Sequence, residues 1–165
     1  MKIKILFIIW VFLFLSTPFQ SKEKVEQNEE LLLRAIKFHG HLGPYLVLGL
    51  KAGLFANKVL GRDPMKTEAL IKIKTTPPES CFVDGVQFST GCTFGKRNIS
   101  LIQGKGIHVT FKKNKKKLIL KLKNEIIKEI NSLPSEEEVW ENLAKDLYQR
   151  EIKEIFEIIR SEGKS

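Results

Sequence analysis

Two short segments hold most of the side chains in this chain that can ligate a metal or act as nucleophiles. The first has His39 and His41 on either side of a glycine, and the second contains Cys81, Asp84 and Cys92. Imidazole and thiolate bind zinc and similar metals, and a thiolate is also a nucleophile. Both segments are rich in glycine, which lets backbone approach closely. We therefore expect any chemistry to occur where the two segments meet.

The two histidines are separated by one residue. In an extended segment, residues two apart point the same way, so His39 and His41 can both face one ligand. The alternative roles are helix capping and ordinary hydrogen bonding. The pattern by itself is compatible with all three roles.

The second segment offers two thiols and a carboxylate. Ser80 is a typical N-cap, which places Cys81 in a first helical turn where the helix dipole lowers a thiol pKa. Asp84 lies about one turn further and can orient a histidine or complete a metal shell, or can simply cap or pair with a lysine. Cys92 is expected in a loop. Both cysteines can instead be core residues, or an exported protein can join Cys81 to Cys92 in a disulfide.

Positive charge is concentrated in two places. Lys96 and Arg97 follow the second segment and can hold an anionic substrate or serve only as surface charge. The chain carries a formal +9, and a run of lysines between residues 112 and 123 accounts for much of it. We interpret that run as a solvated hairpin, because few aromatics are interleaved for base stacking, and we expect no specific nucleic acid partner. Phosphate-cradling and dinucleotide-binding motifs are not found in the sequence.

The N-terminus differs in character from the rest of the 165 residues. Lys2 and Lys4 precede an apolar run at residues 5–15, which is typical of a secretory signal and shorter than the roughly 20 residues of a membrane span. The competing interpretation is a buried N-terminal helix. We predict a signal peptide or short membrane anchor in residues 1–21 and one domain in residues 22–165. The protein is then exported, extracytoplasmic or anchored to the membrane through this segment.

Hydrophobic patterning predicts helices first, strands next and helices last. Residues 45–60 are apolar nearly all round and follow Pro44, which suits a central buried helix. The other expected helices are residues 26–37, 81–89 and the chain from 124 onward, where Ser135 and Glu138 form a capping box. The expected strands are residues 70–74, 98–101, 107–111 and 118–122. This order predicts an α+β fold, a single domain with packed helices and a largely antiparallel sheet.

Together these motifs resemble the E-subunit family of formylmethanofuran dehydrogenase. The matching stretches are residues 38–42 with Pro44, residues 80–87 and residues 90–96 with Asn98. The hairpin that follows Ile107 is also similar. The likeness covers roughly residues 30 to 125, and the C-terminal helices more loosely.

The resemblance implies an α+β core that pairs into homodimers and a metal cleft for zinc or another divalent transition metal. By position, the implied ligands are His39, His41 and Cys92, with Cys81, Asp84 and Lys96 as possible additional site residues. The expected function is therefore an exported or membrane-tethered metal-binding domain of unknown substrate. The alternative is a non-catalytic accessory or partner-binding subunit of a redox complex.

Three departures from the family pattern limit what the resemblance implies. Gly43 stands where many members carry a cysteine. The chain has no cysteine after Cys92, whereas many members end in a zinc ribbon. The formylmethanofuran-linked members are intracellular, whereas this chain begins with an export-type segment. In that enzyme the redox chemistry is assigned to other subunits. The resemblance therefore does not imply oxidation of formylmethanofuran.

Overall fold

The computed structural model describes residues 18–134 and 136–162. The signal peptide or anchor predicted in residues 1–21 lies outside the described residues, apart from 18–21, which begin the first helix. The expected N-cap Ser135 also lies outside them. Over the described residues, no helix has the length and hydropathy needed to cross a membrane.

The chain divides into two compact units, Met1–Arg34 and Ala35–Ser165. In the first unit the described residues are helical and form most of helix α1 (Pro18–His39). The helix predicted from residue 26 is thus confirmed, with an earlier start. The second unit contains the last turn of α1 and every other element.

Helix α2 (Pro44–Leu60) is the central element of the second unit. Pro44 occupies its first turn, as predicted, and most of its residues are buried. It packs against helix α3 (Cys81–Thr90) through glycines on both helices. A Cβ at Gly49 would lie 1.9 Å from the Phe82 carbonyl oxygen, and one at Gly85 would lie 2.2 Å from the Leu46 carbonyl oxygen. The two helices therefore touch backbone to backbone, which fixes the position of α3.

A five-stranded sheet covers one side of these helices, in the order β2-β1-β3-β4-β5. The strands are β1 (Glu68–Ile73), β2 (Ile99–Gln103), β3 (His108–Lys113), β4 (Lys116–Leu122) and β5 (Phe156–Glu162). The pair β1–β2 is parallel and the other three pairs are antiparallel. The α+β class and the largely antiparallel sheet are therefore confirmed.

Alternation along the strands decides which face of the sheet is buried. In β1, Ile71 and Ile73 are buried while Leu70 and Lys72 are exposed. Phe111 and Leu120 continue the buried face on β3 and β4. Side chains two apart share a face, so this face packs on the helices. The turn between β3 and β4 places Asn114 at φ 53°, where asparagine is tolerated.

The C-terminal prediction is partly wrong. Helices α4 (Asn124–Ser132), α5 (Glu137–Gln149) and α6 (Ile152–Ile155) follow the sheet, but the chain then forms strand β5 rather than more helix. The register from Leu122↔Phe156 to Lys116↔Glu162 gives β4 a second hydrogen-bonded neighbour. This long-range pairing outweighs the local helical pattern. Ile159 in β5 pairs with Ile119 and is 55% exposed.

Candidate functional site

His39 and Asp84 form a hydrogen bond that joins the two segments. His39 is the last residue of α1, and its Nδ1 lies 2.7 Å from Oδ2 of Asp84 in the first turn of α3. Because a carboxylate only accepts, the Nδ1–H donates. Gln87 donates to the other carboxylate oxygen from 3.4 Å. Asp84 therefore sets the orientation and the tautomer of the His39 ring.

The second ring nitrogen of His39 is buried without a partner among the described residues. The side chain is 8% exposed, and no group in that part of the chain hydrogen-bonds to Nε2. Buried polar atoms nearly always have a partner, so the unpaired Nε2, next to a second imidazole, is a candidate ligand position. The exposed His41 ring lies beside it, with ring centroids 4.6 Å apart. The structure thus brings two imidazoles together.

A turn, and not an extended strand, creates this juxtaposition. Gly40 follows the end of α1 with φ 106°, a conformation that glycine adopts readily. Gly43 then runs extended at φ −145° into the start of α2. A Cβ placed on Gly43 would lie 3.4 Å from Nε2 of His41, an ordinary contact. Any side chain at position 43 therefore borders the His41 nitrogen.

Cys81 lies in the same first turn of α3 as Asp84, and the pKa of its thiol is shifted upward. Burial raises the pKa of the Cys81 thiol, and the negative charge of Asp84 raises it further. Burial and Asp84 therefore outweigh the lowering expected at the start of a helix. Ser80 makes no side-chain cap, because the chain is already in a turn there: the Cys81 N–H donates to the Pro78 carbonyl. At neutral pH the thiolate is thus a minor form.

Cys92 lies toward the opposite end of α3. Gly91 ends that helix at φ 75°, and the fully buried thiol of Cys92 donates to the Thr67 carbonyl at 3.3 Å. About 9 Å of helix separates Asp84 from Thr90 at ~1.5 Å per residue. The structure therefore does not bring Cys92 to the histidine pair.

The disulfide alternative is wrong, because both cysteines are free. Cys81 begins α3 and Cys92 follows its end. A disulfide needs Cα atoms within about 7 Å, which is less than the length of this helix.

Lys96 belongs with Cys92 and not with the histidines. Its ammonium group donates to the Gly91 carbonyl. The side-chain amide of Asn98 bonds the carbonyls of Pro64 and Thr67 and organises the same loop. The predicted site residues thus fall into two groups: His39, His41, Cys81 and Asp84 at one end of α3, and Cys92 and Lys96 at the other.

The donor set at the histidine pair is incomplete. No group of three or more His, Cys, Asp or Glu side chains among the described residues is placed to hold one metal ion. Asp84 does not count as a third ligand at His39 Nε2, because it is engaged at Nδ1. Sequence reasoning missed Gln87, although its spacing of three residues from Asp84 puts both on one helix face.

Comparison with known proteins agrees with this architecture. The family model described as "FmdE, Molybdenum formylmethanofuran dehydrogenase operon" matches residues 38–162. A Syntrophus aciditrophicus protein that is similar to FmdE, the E subunit of tungsten formylmethanofuran dehydrogenase, has a related fold. Its TM-score is 0.58, with 22% identity over 83% of this chain and 73% of that one.

A curated relative is similar over part of its length. The probable S-adenosyl-L-methionine-binding protein of Archaeoglobus fulgidus is 34% identical over 83 residues, which is 49% of this chain. The chain spans only 23% of that relative. Because the family model covers most of the chain and both histidine and cysteine segments, the protein belongs to the FmdE family.

Proposed function

We propose that this FmdE-family domain binds one zinc or other divalent transition ion through His39 Nε2 and His41. The observation that carries the proposal is the buried Nε2 of His39, which has no hydrogen-bond partner among the described residues. A ligand bound to Nε2 would offset the free-energy cost of burying this nitrogen without a partner. The neighbouring imidazole supplies a second donor of the same type.

The Asp84–His39 hydrogen bond supports the proposal. Metal-bound histidines usually donate their other ring N–H to a carboxylate or carbonyl, which fixes the tautomer and strengthens the ligand. His39 already has this arrangement, with Nδ1 on Asp84. When bound at an open site, such an ion polarises an oxygen ligand or lowers the pKa of a water.

Two nitrogen donors leave coordination positions for other ligands. Water, a small molecule or a donor from a second copy in the expected homodimer can take them.

Zinc titration of the full chain tests the proposal. We expect one site per chain, lost on His39→Ala or His41→Ala, and weakened roughly 10–100-fold by Asp84→Asn. The matched control is His108→Ala, because His108 begins β3 and has no part in the pair. Wild-type protein that binds no zinc, or a His39→Ala variant that binds as the control does, would refute the metal site.

We also propose export or membrane tethering, from the charged start and apolar run of residues 1–21. Cell fractionation with N-terminal sequencing is the test. Recovery of the chain outside the cytoplasm or in the membrane fraction supports it, and recovery in the cytoplasm with an intact N-terminus contradicts it.

A second candidate function is that of an accessory component in a redox complex, docked through the β3–β4 hairpin. Lys112 faces Lys117 across the strands, and Lys113 faces Lys116. Like charges directly opposite are unfavourable in a sheet, and an acidic partner would relieve them. Affinity purification is expected to recover a partner that Lys112→Glu with Lys117→Glu releases, while Lys128→Glu on α4 retains it. Equal recovery with both variants would eliminate this candidate.

A further inference from the structure

A separate cavity of about 550 Å³ lies at one edge of the sheet. Its lining includes Lys74, which follows β1, and Gly104, which follows β2. The two strands are parallel, so they end at the same edge and leave an opening between their loops. Small-molecule sites commonly have volumes of roughly 300–1,000 Å³. The cavity therefore has the size of a ligand site.

Apolar and aromatic side chains form the inner walls. Tyr45 in the first turn of α2 and Ile107 before β3 are both buried. Ile127 and Asn131 are four apart on α4 and present one face to the cavity. Burial, followed by the charge of Glu79, raises the pKa of Tyr45 to about 12, so its phenol stays protonated at neutral pH. These walls suit the apolar body of a small molecule.

The rim of the cavity carries net positive charge. Lys74 pairs with Glu79 at 3.2 Å, which offsets one of the two cations that line the space. Lys105 makes no ion pair with any carboxylate in residues 18–134 and 136–162. The N-terminal end of α2, at Tyr45, adds positive partial charge. The cavity therefore favours an anionic ligand.

We propose that this cavity binds a small organic anion. Its apolar body lies against Tyr45, Ile107 and Ile127, and its carboxylate, sulfonate or phosphate group lies between Lys74 and Lys105. Neither His39 nor His41 lines the cavity, so its ligand would be held by residues other than the proposed metal ligands. An apolar wall with a few converging polar groups is the usual construction of such sites.

Amide NMR of the full chain tests the site with two matched probes. Naphthalene-2-sulfonate supplies a ring and an anion, and 2-naphthalenemethanol supplies the ring, substituted at the same position, without the charge. We expect the sulfonate to shift the amides of Gly104 and Gly106 saturably, and to bind at least roughly tenfold more tightly than the alcohol, because a charged group strengthens a hydrogen bond. No saturable shift at these glycines, or equal affinity for both probes, would overturn the proposal.

Two double variants distinguish binding in the cavity from attraction to positive charge elsewhere on the surface. Lys74→Met with Lys105→Met is expected to weaken sulfonate binding roughly tenfold and leave the alcohol unchanged. Lys116→Met with Lys117→Met removes the same charge from the hairpin and is expected to change neither. Equal weakening in both double variants would show unspecific attraction and refute the site. His39→Ala is expected to retain sulfonate binding, so the sulfonate measurement tests the cavity even if the metal proposal fails.

Discussion

Replacing Gly49 with alanine is expected to lower the free energy of unfolding by on the order of 3 kcal/mol. The new methyl group would sit 1.9 Å from the Phe82 carbonyl oxygen, which belongs to the backbone of α3 and cannot rotate away. The gain in helix propensity, about 1 kcal/mol, is too small to offset that clash. Denaturant unfolding followed by circular dichroism measures the change.

The control for this substitution is Gly95→Ala. A Cβ at Gly95 meets nothing within 4 Å, so a change within about 0.5 kcal/mol is expected. Gly85→Ala should behave like Gly49→Ala, because its Cβ would meet the Leu46 carbonyl oxygen at 2.2 Å. Equal stability of the Gly49 and Gly95 variants would contradict the close α2–α3 contact. Since that contact carries Asp84, the Gly49→Ala variant should also bind zinc more weakly.

Replacing Gly43 with cysteine is expected to tighten zinc binding by roughly a hundredfold. The new Cβ would lie 3.4 Å from Nε2 of His41, so the thiolate would stand beside the proposed ligand. The backbone at Gly43 is extended, with φ −145°, and accepts any side chain. Four-ligand zinc sites are worth ~10–16 kcal/mol, or about 3 kcal/mol per ligand, which corresponds to this factor. Competition titration against a zinc chelator measures it.

Gly43→Ala separates ligation from steric effects. Alanine adds the same Cβ without a sulfur, so its zinc affinity should match wild type. An equal rise for alanine and cysteine, or no rise for either, would show that position 43 does not border the metal. The cysteine variant also restores the residue that many members of the family carry there, so it tests whether this chain retains the rest of their site.

Local patterns predicted the elements that depend on local chemistry. Pro44 marked the start of α2, and the apolar residues after it marked a buried helix. Each of these features is a property of a few neighbouring residues.

Long-range pairing was not predictable from local patterns. Ile158 and Ile159 of β5 lie three and four residues after Ile155, a spacing that also suits a helix. The segment forms a strand because it pairs with the free edge of β4. The cavity was missed because its lining comes from α2, α4, the end of β2 and the loops after β1 and β2, each of which carries an ordinary pattern on its own.

The sequence predicted which residues belong to the candidate site but not how they are arranged in space. The residues of both segments were identified, and the orienting role of Asp84 was one of the roles considered. The separation of Cys92 from His39 was not foreseen, because it depends on the length and direction of α3. The orphaned His39 Nε2 is likewise a property of burial, which no spacing rule supplies.

Imidazole nitrogen NMR of the full chain can establish whether His39 is a prepared metal ligand. We expect neutral His39 to carry its proton on Nδ1, toward Asp84, and added zinc to shift the Nε2 resonance of His39 together with a nitrogen of His41. His108 should not respond. A His39 ring protonated on Nε2 in its neutral form, or an Nε2 resonance unmoved by zinc, would contradict this role for His39.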